Sequence, residues 1–244
     1  VAETLDSLKT KLARPACLIE VDARLVPADP LVASWFGRVN AALPGEQWPV
    51  VNGVPMAPIA QLSLREATYV PPALADVALV TVFFGPDVFS RDSENGDGWV
   101  VRAYSALDEL RAIEVPSGAV EQLDDIRYGG KPIRPIPIRY RDLAVDYPDW
   151  PDVPPDLAVP EAIGDAWYDH FIAHEGSKLG GWPSLVQDQI YWAPWNQHPA
   201  SPEYAFQLGS VPKANFELVA SAMCYFGRGT GSARDVWTFT TQLD

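Results

Sequence analysis

Leu5, Leu8 and Leu12 recur at spacings of three and four, which places them on one face of a helix over residues 3–13. The period then changes. Cys17-Leu18-Ile19-Glu20-Val21 is a short apolar run of strand type. Ala28-Asp29-Pro30 reads as the start of a second helix, with Asp29 as N-cap and Pro30 at the first helical position, ending near Gly37. From Leu43 to Pro58 a Pro or Gly falls every few residues, the mark of a loop. Pro58–Leu64 and Ala78–Gly85 follow as strands. The second is apolar on both faces and belongs inside a sheet. Gly96-Asp97-Gly98 is a turn signal ahead of a strand over Trp99–Ser105, and Ser105-Ala-Leu-Asp108 has the spacing of a short capped helix.

The middle of the chain is patterned differently. Ile133-Arg-Pro-Ile-Pro-Ile-Arg-Tyr140 alternates, but its two internal prolines lack amide donors, so an edge strand or polyproline segment is expected. Tyr147-Pro-Asp-Trp-Pro-Asp-Val-Pro-Pro-Asp156 is extended and rich in Pro. Residues from about 115 to 160 therefore read as an acidic bridge between two halves, held down by Tyr147 and Trp150. Residues 161–175 read as a helix with Ile163, Trp167, His170, Phe171 and His174 on one face. Ala205–Leu208, Glu217–Phe226 and Val236–Thr241 are strand candidates.

The two halves resemble each other. Ser34-Trp-Phe-Gly37 matches Ser177-Lys-Leu-Gly180, Ile59-Ala-Gln61-Leu matches Ala205-Phe-Gln207-Leu, and Phe83-Phe84-Gly85 matches Tyr225-Phe226-Gly227. The order is the same and the spans are nearly equal. This predicts an internal repeat, residues 34–84 and 177–226, packed as one unit. Gln61 and Gln207 lie inside apolar runs, where a buried amide must find backbone partners. The expected fold class is α+β: antiparallel sheets with a few short helices, forming a single unit over residues 1–244.

Composition narrows the setting. Of 244 residues, 48% are hydrophobic, enough for a sizeable core and too many for a disordered tail. Lys and Arg number 18 against 32 Asp and Glu, a net charge of −14, so nucleic acid and anionic membrane are poor partners. Cys17 and Cys224 show no Cys-x-x-Cys spacing, no run approaches the roughly 20 apolar residues of a membrane span, and Val-Ala-Glu-Thr-Leu-Asp does not open like a signal peptide. A cytoplasmic location is expected.

Ser177-Lys178-Leu-Gly180-Gly181-Trp-Pro183 followed by Gln187 resembles the S-K-hydrophobic-G-G-x-P…Q signature of the YwqG-like bacterial family, a domain of unknown function. Trp48-Pro49…Pro58-Ile-Ala-Gln61-Leu, Phe206-Gln207-Leu-Gly-Ser210 and Ala222-Met-Cys-Tyr-Phe226 resemble its further blocks. The chain departs from the pattern at Gly37-Arg38, where the family tends to have Gly-Gly, and in its late acidic turn. The resemblance implies antiparallel sheets and no particular activity. It also implies a partner role, immunity to a secreted toxin among the forms considered for such families.

Catalytic chemistry finds little anchorage. His170-x-x-x-His174 has zinc-ligand spacing, but Phe171 stands where a zincin places Glu. Cys224 lies in an apolar strand, there is no Gly-x-Ser-x-Gly elbow, and no carboxylate pair stands out. No cofactor, no metal and no catalytic residue is expected. Charge is more informative. Residues 142–176 hold nine acids and no Lys or Arg, whereas 126–141 hold Arg127, Lys131, Arg134, Arg139 and Arg141 and no acid. The expected role is non-enzymatic: Asp142, Asp146, Tyr147, Asp149, Trp150, Asp152 and Asp156 form a surface that docks a basic protein. The alternative is a sugar or nucleotide bound by a Trp-rich loop of Trp182, Tyr191, Trp192 and Trp195.

Overall fold

Thr4 opens the first helix: its hydroxyl accepts the Ser7 amide at 3.2 Å, and α1 (Leu5–Leu12) buries Leu8 and Leu12. Beyond it the chain is mostly strand. The computed structural model describes residues 3–86, 88–89, 94–119, 131–192, 198–218 and 222–243. Its strands are β1 (Arg14–Val21), β2 (Trp35–Phe36), β3 (Ala41–Ala42), β4 (Val50–Val51), β5 (Val54–Pro55), β6 (Ala57–Ser63), β7 (Leu79–Phe84), β8 (Trp99–Tyr104), β9 (Arg111–Ala112), β10 (Ile136–Asp146), β11 (Lys178–Gly180), β12 (Glu203–Gly209), β13 (Met223–Arg228) and β14 (Trp237–Gln242). Two further short helices, α2 (Glu161–Asp165) and α3 (Trp167–His170), complete the α-helical content of the described residues, beside a few three-residue 3-10 turns. The class is therefore mostly antiparallel β with few helices.

Ten strands make one antiparallel sheet in the order β14-β13-β12-β11-β1-β10-β2-β6-β7-β8. It curls until its ends meet across the core. Trp99 of β8 and Phe239 of β14 lie 5.3 Å apart, and Phe84 of β7 packs on Phe239 at 5.4 Å, giving a nearly closed, barrel-like sheet. Inside it are Ile59, Leu62, Val80, Val82, Phe206 and Phe226, all fully buried. The apolar run predicted at Ala78–Gly85 is β7, buried at every position. No helix among the described residues is long and apolar enough to cross a membrane.

Five expectations are corrected. The helix from Ala28 to Gly37 does not form. Asp29 Oδ1 accepts the Leu31 amide at 3.0 Å, but the turn it caps is cut short as Trp35 and Phe36 enter the sheet between β10 and β6. Ser105–Asp108 is likewise a turn without a helix.

The segment taken as a Pro-rich edge and bridge instead contains an 11-residue central strand, β10, which pairs with β1 from Arg14↔Asp146 to Val21↔Ile138. Pro137 is tolerated because it lies just beyond the β1 ladder. Its carbonyl accepts the Asp22 amide at 2.9 Å, and Ile138 donates to the Ser34 carbonyl at 3.0 Å. The helix over 161–175 is interrupted at Ala166 (φ −107°, ψ 26°) and ends at His170, after which Phe171 turns inward to stack on Trp167 at 4.0 Å. The strand expected from Glu217 begins, among the described residues, at Met223.

Candidate functional site

β1 runs between β10 and β11 and is antiparallel to both, so the two strands end on either side of its N-terminal part. Asp146 and Lys178 meet there. Lys178 Nζ donates to Asp146 Oδ2 at 2.8 Å and to the His174 carbonyl at 2.7 Å, and both side chains are completely buried. Asp146 also accepts the His174 amide on Oδ1 and the Trp182 amide on Oδ2, each at 2.8 Å. Burial pulls the Lys178 ammonium below the usual lysine value, and Asp146 opposes that pull. Three donors converge on one carboxylate only because Gly181 (φ +69°) carries no side chain. A Cβ at Gly181 would collide with the carboxylate.

The remaining motif residues are structural. Gln207 Oε1 accepts the Ser184 amide at 3.0 Å, and its Nε2 donates to the Gly176 carbonyl at 2.7 Å. Gln61 Oε1 accepts the Ala41 amide at 3.1 Å, and its Nε2 donates to the Ala33 carbonyl at 2.7 Å. The Ser177 hydroxyl accepts the Gly209 amide at 3.0 Å. Gly180 (φ +64°) lets the Tyr69 ring approach, and Gln187 is tied to Gln242 and Leu243. Pro183 follows Trp182 along the wall of a cleft.

The acidic surface is redrawn. Asp146 is removed to the interior by its pairing with Lys178, and Asp152 is fully buried under the turn at Trp150–Asp152. Asp149 is half-buried, with Oδ2 accepting the Leu185 amide at 2.7 Å, and burial raises its pKa. Tyr147 is half-buried against Phe171, at 5.2 Å between rings. Asp142, Asp156 and Trp150 remain exposed. Of the basic run, Arg139 pairs with Asp22 and Arg141 with Glu20, so these two do not fold onto the acids, and Arg127 lies outside the described residues.

The Trp-rich loop also divides. Trp182 and Trp192 are buried, Tyr191 is 57% exposed, and Trp195 lies outside the described residues. Trp192 packs with Ile190, Met223 and Tyr225 rather than beside Trp182. Trp182 instead donates its indole N–H to the Leu12 carbonyl at 2.7 Å and carries the Arg14 guanidinium 3.3 Å from its ring centroid. Together with Tyr69, Pro71, Pro72 and Tyr204, these two residues line a cleft of about 440 Å³. Nothing in the sequence linked Arg14 and Tyr69 to Trp182, because no motif spans three segments so far apart.

The Cys224 thiol is fully buried and burial pushes its pKa well above the usual value, so it behaves as a small apolar group. No cluster of three or more His, Cys, Asp or Glu placed to hold a metal occurs among the described residues. His174 is half-buried, and burial beside Lys178 lowers its pKa. The arrangement can therefore present two kinds of surface, an acidic face around α2 and α3 and an aromatic cleft over Trp182. No protein-family model and no curated protein matches the chain.

Proposed function

We propose that this chain acts by binding, and that its partner is a basic protein seated on the outer face of α2 and α3. The observation that carries this is the make-up of that face. Glu161, Asp165, Asp169 and Glu175 are exposed around Tyr168 and Ile172, which are themselves 64% and 74% exposed. Asp142 and Asp156 extend the acidic field, and Trp150 adjoins it, its ring packed over Gly164. The opposite face holds Ile163, Trp167 and Phe171 against α1, so the outer residues are left without an intramolecular role. Exposed carboxylates steer a cationic partner, and Tyr168 and Ile172 offer the apolar contact that slows its departure. An immunity protein that neutralises a basic toxin in the cytoplasm is the most concrete form of this reading. Membership of the YwqG-like family is part of the same proposal and rests on the ordered motifs.

The test uses a partner captured from native lysate and then purified. Asp165→Asn with Asp169→Asn is expected to slow association and flatten its salt dependence. Tyr168→Ala with Ile172→Ala is expected to speed dissociation by about tenfold or more. Both pairs are exposed, so the melting temperature should hold. A partner that is not basic, or that binds both variants as it binds wild type, would overturn the proposal.

We further infer that residues 34–84 and 177–226 are two copies of one unit. In support, Trp35↔Gln61 and Lys178↔Gln207 are corresponding register pairs. Each glutamine donates at 2.7 Å to the carbonyl before its serine, Ala33 or Gly176, and each accepts an amide seven residues after that serine, Ala41 or Ser184. Each serine accepts an amide two residues past the glutamine, Ser63 or Gly209. The next pairings break register at matching places, Pro58/Ala60 and Tyr204/Phe206. The copies have exchanged a strand: Ile19 of β1 donates to Ser177, and Ile138 of β10 donates to Ser34.

A further inference from the structure

The cleft over Trp182 has unused chemistry. At about 440 Å³ it falls within the range of small-ligand sites. Pro71, Pro72 and Tyr204 give it apolar and aromatic walls, while Trp182 is buried beneath Arg14 and supports it from below. Its floor depends on Gly180 (φ +64°), where a Cβ would run into the Tyr69 ring and Pro71.

Among the described residues, Arg14 is the one cation that lines it. Its guanidinium lies 3.3 Å from the Trp182 ring centroid, a contact that occupies one face and leaves the N–H edge free. Among the described residues, that edge meets no hydrogen-bond acceptor and no carboxylate within ion-pair distance. Asp146, the nearest strand neighbour across β1, is already engaged by Lys178. Tyr69, on the facing wall, likewise makes no hydrogen bond through its hydroxyl among the described residues. A fork of N–H donors and a phenol, both open on one aromatic trough, match a carboxylate attached to a flat apolar body. With a single cation, with Glu203 at the rim and with a net charge of −14, the site suits a monoanion better than a phosphate dianion.

We propose that this cleft binds a small organic carboxylate, its charge on Arg14 and Tyr69 and its apolar body between Tyr204 and the two prolines, with Trp182 beneath Arg14 as its support. The site is separate from the α2–α3 face, so either proposal stands or falls without the other.

Benzoate is the probe. Titrated into the ¹⁵N-labelled protein, it is expected to shift the Trp182 indole and Arg14 side-chain resonances saturably, with a Kd on the order of 1 mM. Benzamide, the same ring without the charge, should bind at least about tenfold more weakly. Arg14→Gln should weaken benzoate at least about tenfold, and Tyr69→Phe about threefold. Arg14→Lys keeps a charge without the fork and should fall between wild type and Arg14→Gln, and it decides the matter should Arg14→Gln fail to fold. The proposal is overturned if benzamide binds as well as benzoate, if inorganic phosphate binds more tightly than benzoate, if the folded Arg14 variants bind like wild type, or if no saturable shift reaches Trp182.

Discussion

At the scale of single residues, the acidic segment shows that one composition can do opposite things. Asp142, Asp156 and Trp150 face solvent, while Asp146 and Asp152, in the same run, are completely buried. Asp146 is held by an ammonium and two amides. Asp152 has its pKa pushed up to about 7, chiefly by burial and next by Asp149. Because folding raises this carboxyl's pKa, the native state keeps a proton that the unfolded chain releases near 3.8. The contribution to stability is therefore greatest at low pH and falls as pH rises from about 4 to about 7. Asp152→Asn should remove that slope. We expect denaturant melts to show the variant more stable than wild type by about 4 kcal/mol at pH 8, with the gap closing toward pH 4. A gap that does not change with pH would refute the assignment. Charge spacing along the chain could not separate these aspartates, since burial depends on where β10, β11 and the Trp150–Asp152 turn are packed.

At the scale of elements, short segments follow their neighbours more than their own propensity. Asp29-Pro30 is a sound helix start, yet the chain yields to the sheet two turns' worth of residues later because Trp35 and Phe36 have a place between β6 and β10. Gln61 and Gln207 were legible, since an amide within an apolar strand requires buried partners and each has found carbonyl and amide groups of the adjoining loop. If the halves are copies of one unit, removing either amide should cost about the same. Gln61→Leu and Gln207→Leu each leave buried amides and carbonyls unpaired, and each is expected to destabilise by about 2–4 kcal/mol in urea melts. One large cost beside one negligible cost would argue against equivalence. The two segments differ where the candidate cleft lies: Gly181-Trp182 stands where the first has Arg38-Val39, and Lys178 where it has Trp35.

At the scale of the whole molecule, β1 lies between β10 and β11, so the N-terminal strand completes the sheet of the C-terminal half, and β10 borders β2 of the N-terminal half. Neither half owns its full sheet. Residues 1–118 alone should show no near-ultraviolet circular dichroism of fixed aromatic packing, and mixing with residues 119–244 should restore it. A cooperatively folding 1–118 fragment would contradict this. The sequence by itself determined the local elements α1, β6, β7, β8, β12 and β14, because period and β-branched or aromatic content are local properties. It also marked Ser177–Gly181, through the internal match and the family resemblance, and the two glutamines, because an amide inside an apolar run breaks the pattern. Tertiary structure alone decided that a proline-containing segment could be a central strand, since that depends on where β1 ends. It also decided which acids are buried, and that Arg14, Tyr69 and Trp182 share one cleft, since residues from three distant segments become neighbours only when the sheet curls.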